Sequence, residues 1–253
     1  MNWPKQSFSL LISGSLVLAT SQTGWAAGAE QSTAPPAVQT TLPSPDVLNQ
    51  LVAPIALYPD SLVAQILAAS TLPSEVVEAD RWIKQHSSLR GQAVGQAVNQ
   101  EAWDPSVKAL TQFPLVLANM DNNLSWSTQL GVAYSSEPQN VLDAIQAMRR
   151  RAQQAGHLTG NSHETVTTEG DTIVIQPADA GTVYVPEYNP WLVYGAPVGV
   201  YPGWAGVPGL FVTGPDVLFG LGIGIGVFAA FGWGWNHWGA DWRDHRVAFN
   251  HGA

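Results

Sequence analysis

Three polar residues near the C-terminus have the types and spacing of a metal site. His237, Asp241 and His245 fall at i, i+4 and i+8, so a helix there would align two imidazoles and a carboxylate on one face, a set suited to zinc or another divalent ion. Trp235, Trp238 and Trp242 run beside them at i, i+3 and i+7, which equally describes an amphipathic interfacial helix with its polar side in water. Carboxylate chemistry has one candidate, Glu101 beside Trp103 and Asp104, since a single buried Glu can serve a wall-lytic enzyme as general acid. The alternative for Glu101 is an exposed acid in a turn between helices. Tyr184, Tyr188, Trp191 and Tyr194, followed by Tyr201 and Trp204, could stack on sugars or a peptide, or fold back onto the domain. Arg149-Arg150-Arg151 reads as a solvated helix end.

Standard catalytic signatures are absent. The sequence has no G-x-S-x-G, S-x-x-K, H-E-x-x-H or Walker loop, and His163-Glu164 lacks a second histidine four positions after the first. With no cysteine there is no disulfide, thiol nucleophile or lipid-modified thiol. A net charge of −9 argues against nucleic acid as a partner, and no cofactor is expected.

The elements that must position these residues follow from the spacing of prolines and apolar side chains. Residues 1–29 read as a signal peptide: Lys5, an apolar run over 7–20, then small residues offering cleavage after Ala26 or Ala29. Residues 30–45, rich in Ser, Thr, Ala, Gln and Pro with one charge, read as a disordered linker. Pro45, Pro59 and Pro73 recur at intervals of 14, each opening a short helix. A weaker helix spans 92–99, interrupted by Gly95, and Asp104-Pro105 opens another in the favoured N-cap and N1 order. Ser136-x-x-Gln139 matches a capping box ahead of the helix carrying Val141, Ile145, Met148 and Ala152, which Gly156 closes. After His163 the period becomes 2: strands at 165–168 and 172–175 join through Glu169-Gly170-Asp171, and 183–185 reads as the third strand of an antiparallel meander. The expected class is α+β, an array of short helices and a three-strand meander over 46–190, then an irregular Gly/Trp-rich tail over 191–253; a helical bundle alone is the alternative.

The tail holds 14 of the 24 glycines in the last 59 residues. Residues 217–235 carry no charge and could cross about 28 Å as a helix, with Gly220, Gly222, Gly224 and Gly226 alternating. That alternation suits either a packed membrane helix with an aromatic belt reaching residue 242 or an extended chain with one bare face.

Leu51-Val52-Ala53-Pro54-Ile55-Ala56-Leu57-Tyr58-Pro59-Asp60, Leu67-Ala68-Ala69-Ser70-Thr71, Trp103-Asp104-Pro105-Ser106-Val107-Lys108-Ala109-Leu110 and Val183-Tyr184-Val185-Pro186 resemble the bacterial exported family catalogued as domain of unknown function 3300. The resemblance runs from about Leu48 to Gly195 and implies a bacterial envelope protein, periplasmic or membrane-associated on the periplasmic side. It supplies no activity and no catalytic residues. The expected role is therefore a non-enzymatic interaction module with a protein or cell-wall partner, against a cell-wall hydrolase or a divalent-metal-binding protein.

Overall fold

The computed structural model describes residues 44–250. The signal-peptide region and all but the end of the linker lie outside the described residues. Eight helices come first: α1 (Pro45–Val52), α2 (Asp60–Ser70), α3 (Pro73–Gln85), α4 (Gln92–Gln100), α5 (Pro105–Leu110), α6 (Pro114–Asn122), α7 (Leu124–Ser136) and α8 (Pro138–Gln154). Short antiparallel strands follow, β1 (Glu164–Glu169), β2 (Thr172–Pro177), β3 (Thr182–Val183), β4 (Pro186–Glu187), β5 (Leu218–Phe219), β6 (Ile223–Gly224), β7 (Trp238–Asp241) and β8 (Arg246–Phe249). The class is α+β.

The prolines set the helix starts as their fixed φ and missing N–H dictate. Pro sits at the first or second position of α1, α3, α5, α6 and α8. Asp104 caps α5 by accepting the Ser106 N–H at 2.8 Å. The capping box before α8 does not form: α7 runs through Ser136, and α8 begins at Pro138 without a side-chain cap. Residues 114–136 divide into α6, opened by Pro114, and α7, which starts with neither a proline nor a side-chain cap.

Helix α2 is buried almost all round, as a helix at the centre of a core must be. It packs against α3, α5 and α7 and against β2 and β7. Gly131 lets α7 cross it at close range, because a Cβ there would lie 2.0 Å from the Ser70 carbonyl oxygen. Gly95, which weakens α4 as a helix, makes room for an aromatic: a Cβ there would stand 2.5 Å from the Phe231 ring.

The β-region departs from a three-strand meander. Hairpin β1–β2 forms, turning at Gly170 with φ +63°, but Val183 pairs with Ile223 of the tail. The outer edge of β2 is already occupied by side chains. Gln146 takes the Ile173 N–H and donates to its carbonyl, Arg149 also donates to that carbonyl, and Asp60 accepts the Ile175 N–H. Strand β2 thus gains from α2 and α8 the hydrogen bonds a third strand would have supplied.

No helix among the described residues is long and apolar enough to cross a membrane. Residues 217–235 are two short strands, a 3₁₀ turn and loops, so the alternating glycines belong to the extended alternative. The tail covers the helices with Trp204, Leu210, Phe228, Trp233, Trp235 and Trp238, each no more than 9% exposed.

Candidate functional site

At the junction of α2, α8, β2 and the tail lies a buried ion pair. Arg149 is fully buried, and its Nη1 donates to Asp60 Oδ1 at 2.6 Å. The rest of the guanidinium is consumed by carbonyls: Nε by Ala56 at 2.8 Å, Nη1 also by Ile173 at 2.8 Å, and Nη2 by Tyr58 at 2.9 Å. Asp60 Oδ2 accepts the Trp242 indole N–H at 2.8 Å, and the Trp242 ring lies 4.7 Å from the Arg149 guanidinium carbon. The solvated-end reading of the arginine run therefore fails for Arg149, which is on the inward face of α8, while Arg150 is exposed. With four of its five N–H donors paired and the side chain fully buried, Arg149 ties the tail to the helices and does not face a ligand.

Tyr188 and Tyr194 both donate to the Ala53 carbonyl, at 2.9 and 2.5 Å. Burial pushes the hydroxyls of Tyr58, Tyr188 and Tyr194 above the usual tyrosine range. Of the four aromatics expected to bind a ligand, these two are 2% exposed and unavailable for stacking. Trp191 is half-buried against Trp204, and Tyr184 is half-buried edge-on to the His163 ring, 4.5 Å between centroids.

The structure does not assemble the His237, Asp241 and His245 set. The segment is a 3₁₀ turn, strand β7 and a turn, so the helical spacing does not align the three side chains. His237 Nδ1 is 2.7 Å from the Asn250 carbonyl oxygen, His245 pairs with Asp143 at 3.0 Å, and Asp241 accepts the Asp244 N–H and faces Arg246. Among the described residues no group of three or more His, Asp or Glu side chains could hold a metal ion.

Glu101 is the C-cap of α4 and half-buried, with no side-chain hydrogen bond or ion pair among the described residues. Burial raises the pKa of two carboxyls, Asp121 on α6 and Glu164 at the start of β1, and Glu164 is the more deeply buried. It is 2% exposed, its Oε2 has no hydrogen-bond partner, and desolvation raises its pKa to about 7 although the Arg149 charge acts the other way. No spacing rule picks out Glu164; its burial comes from the docking of β1. Being sealed, it reaches no substrate.

One of several open cavities among the described residues is apolar, about 320 Å³ in volume. It lies between the α5–α6 corner and the tail, lined by Phe113, Leu115, Val116, Leu210, Leu221 and Ile223, with Glu187 as its charged member. Leu115 is 48% exposed and Leu221 is 94% exposed. The latter follows from the local register. Thr182 and Val183 face Gly224 and Ile223, whereas Pro186 and Glu187 face Phe219 and Leu218. Between these pairs Tyr184 and Val185 stand opposite Gly220, Leu221 and Gly222, so the register shifts by one residue between two separate two-stranded sheets, a bulge-like offset. Bulges re-aim side chains, and this one turns Leu221 outward. Gly222 is the constrained neighbour, because a Cβ there would lie 2.6 Å from Thr182 Cγ2 and 2.8 Å from the Tyr184 ring; at Gly220 a Cβ would lie 2.5 Å from Glu187 Oε1, the mobile end of a side chain.

Compared with known proteins, the chain matches over residues 44–252 the family described as "Protein of unknown function (DUF3300)". It is similar to the uncharacterized protein YacH of Escherichia coli (strain K12), 38% identical over 192 residues, which is 63% of this chain and 31% of that protein. The chain thus spans under a third of the length of this relative. No solved structure matches.

Proposed function

The chain belongs to the family of proteins of unknown function DUF3300, and from that premise we propose that it is an exported envelope protein working as a non-enzymatic interaction module. The observation that carries this reading is the apolar cavity beside Leu221. A leucine 94% exposed on a bulge, next to an open apolar hollow, is surface that water solvates poorly and a partner would cover. Export is supported by the n-region, apolar run and small residues of 1–29. Once the signal is removed, the helices and the tail face the same compartment.

Two measurements test this. Mass spectrometry of the chain recovered from fractionated bacterial cells should find an N-terminus at Ala27 or Glu30; an intact Met1 end in the cytoplasmic fraction refutes export. A photo-crosslinking amino acid at Leu221 should yield a discrete adduct in intact cells that Leu115→Asp abolishes. The same probe at exposed Gln153 should yield none. Adducts of equal yield at both positions refute the groove as a docking site.

A further inference from the structure

We infer that the groove is selective for a protein segment in which apolar side chains accompany a lysine or arginine, the cation meeting Glu187. This rests on the docking function just proposed and adds the chemistry of the partner. Glu187 is half-buried and lines an otherwise apolar cavity, yet it makes no side-chain hydrogen bond or ion pair among the described residues. The polypeptide that builds the groove supplies no cation from nearby sequence: residues 109–148 and 188–242 contain neither Lys nor Arg. Lys108, just before that stretch, points its ammonium to the Asn99 carbonyl.

A carboxylate beside apolar walls feels an arriving charge more strongly than one in open water, because less solvent screens the pair. Gly220 leaves room for the acid beside Leu221, since a Cβ there would stand 2.5 Å from Glu187 Oε1. A cavity of about 320 Å³ is at the small end for ligand sites, sized for a few side chains.

Charge decides between occupants. A second copy docking through the same face would bring a second Glu187 toward the first, a like-charge arrangement that disfavours association, and Arg90 of the adjoining cavity is engaged by its own Ser87 and Leu89 carbonyls. Anionic lipid headgroups would meet the same carboxylate and no basic residue between 188 and 242. A basic, apolar peptide segment satisfies both the cavity and the charge.

The test selects random displayed peptides on the purified full chain and measures the winners by fluorescence anisotropy. Enriched peptides should carry Lys or Arg within two residues of an apolar side chain. Glu187→Gln should weaken a Lys peptide about tenfold while changing its Lys→Met counterpart by less than twofold. Leu221→Asp should remove binding of both, with an unchanged circular dichroism spectrum, and Leu221→Met should restore it. Apolar peptides that bind through Leu221 without regard to Glu187 overturn this inference and leave the docking function standing. Peptide binding indifferent to Leu221→Asp overturns both. A Leu221-dependent dimer in sedimentation, or Leu221-dependent flotation with phosphatidylcholine vesicles, replaces the peptide by another occupant and overturns the inference.

Discussion

Arg149→Met leaves the stem of the side chain in place and removes the charged head. It strands the carbonyls of Ala56, Tyr58 and Ile173 and leaves Asp60 with two neutral donors, the Ile175 N–H and the Trp242 indole. Removing one partner of a buried ion pair costs about 3–5 kcal/mol, because the remaining charge keeps its desolvation penalty and loses its compensation. For a domain of this size each kcal/mol lowers Tm by about 2–4 °C, so the expected fall is roughly 6–20 °C. Asp60→Asn strands the opposite charge and should cost a similar amount. The double variant should be less destabilised than the sum of the singles, by about 0.5–3 kcal/mol, since neither charge is then left alone. Urea unfolding followed by circular dichroism and by tryptophan fluorescence gives all three values. A loss below about 1 kcal/mol for Arg149→Met, with an unchanged denaturant slope, is what a solvated pair would give and would refute the description of this centre.

Glu164 predicts a pH effect whose sign is fixed by its raised pKa. The folded protein holds this proton up to about pH 7 while the unfolded chain releases it near 4.5, so stability is fully present below 4.5 and declines as pH rises through 7. Glu164→Gln should therefore have a higher urea midpoint than wild type at pH 8 and a similar one at pH 4.5; parallel pH profiles would exclude Glu164 as the source. Gly131→Ala should destabilise by about 1–3 kcal/mol or more, because its Cβ meets Ser70 backbone that cannot swing aside; a midpoint within error of wild type would contradict the α2–α7 crossing. Gly222→Ala should cost about 1–3 kcal/mol against Thr182 and Tyr184, whereas Gly224→Ala, with nothing within 4 Å of its Cβ, should stay within about 0.5 kcal/mol. Equal effects would mean that the bulge is not set as described.

Helix starts were legible because Pro acts locally: its ring fixes φ whatever packs nearby, and Pro45, Pro73 and Pro105 open helices as their spacing indicates. Hairpin β1–β2 was legible for the same reason, from Gly170 and the alternation around it. The polar centre was not, because Arg149 meets a carboxylate 89 residues away and carbonyls 93, 91 and 24 residues away, separations at which no local pattern survives. The same long-range pairing removes the third strand of the meander, whose place beside β2 is filled by Gln146, Arg149 and Asp60. His237, Asp241 and His245 keep a helical spacing in a segment that is not helical, so their pattern carried no geometry.

The tail is the instructive case, since its composition suits a membrane and its structure uses the same residues otherwise. A chain that lies on helices with little regular secondary structure needs glycine for close approach and tryptophan for apolar area, and three of its indole N–H groups find acceptors while that of buried Trp204 has none among the described residues. Trp233 donates to Asn99 Oδ1 at 3.0 Å, Trp238 to the Trp233 carbonyl at 3.1 Å and Trp242 to Asp60. Phe228 and Trp233 close over Val98 and Ala109, so the large aromatics of the uncharged run join the protein's own core while Leu218, Leu221 and Val227 stay exposed. Leu221 is not consumed. It points outward between Gly220 and Gly222, beside an open cavity and an acid that is unpaired among the described residues. Internal packing accounts for the buried tryptophans and for Gly222, but it gives no reason to expose that leucine, and the docking segment proposed for the groove would supply one.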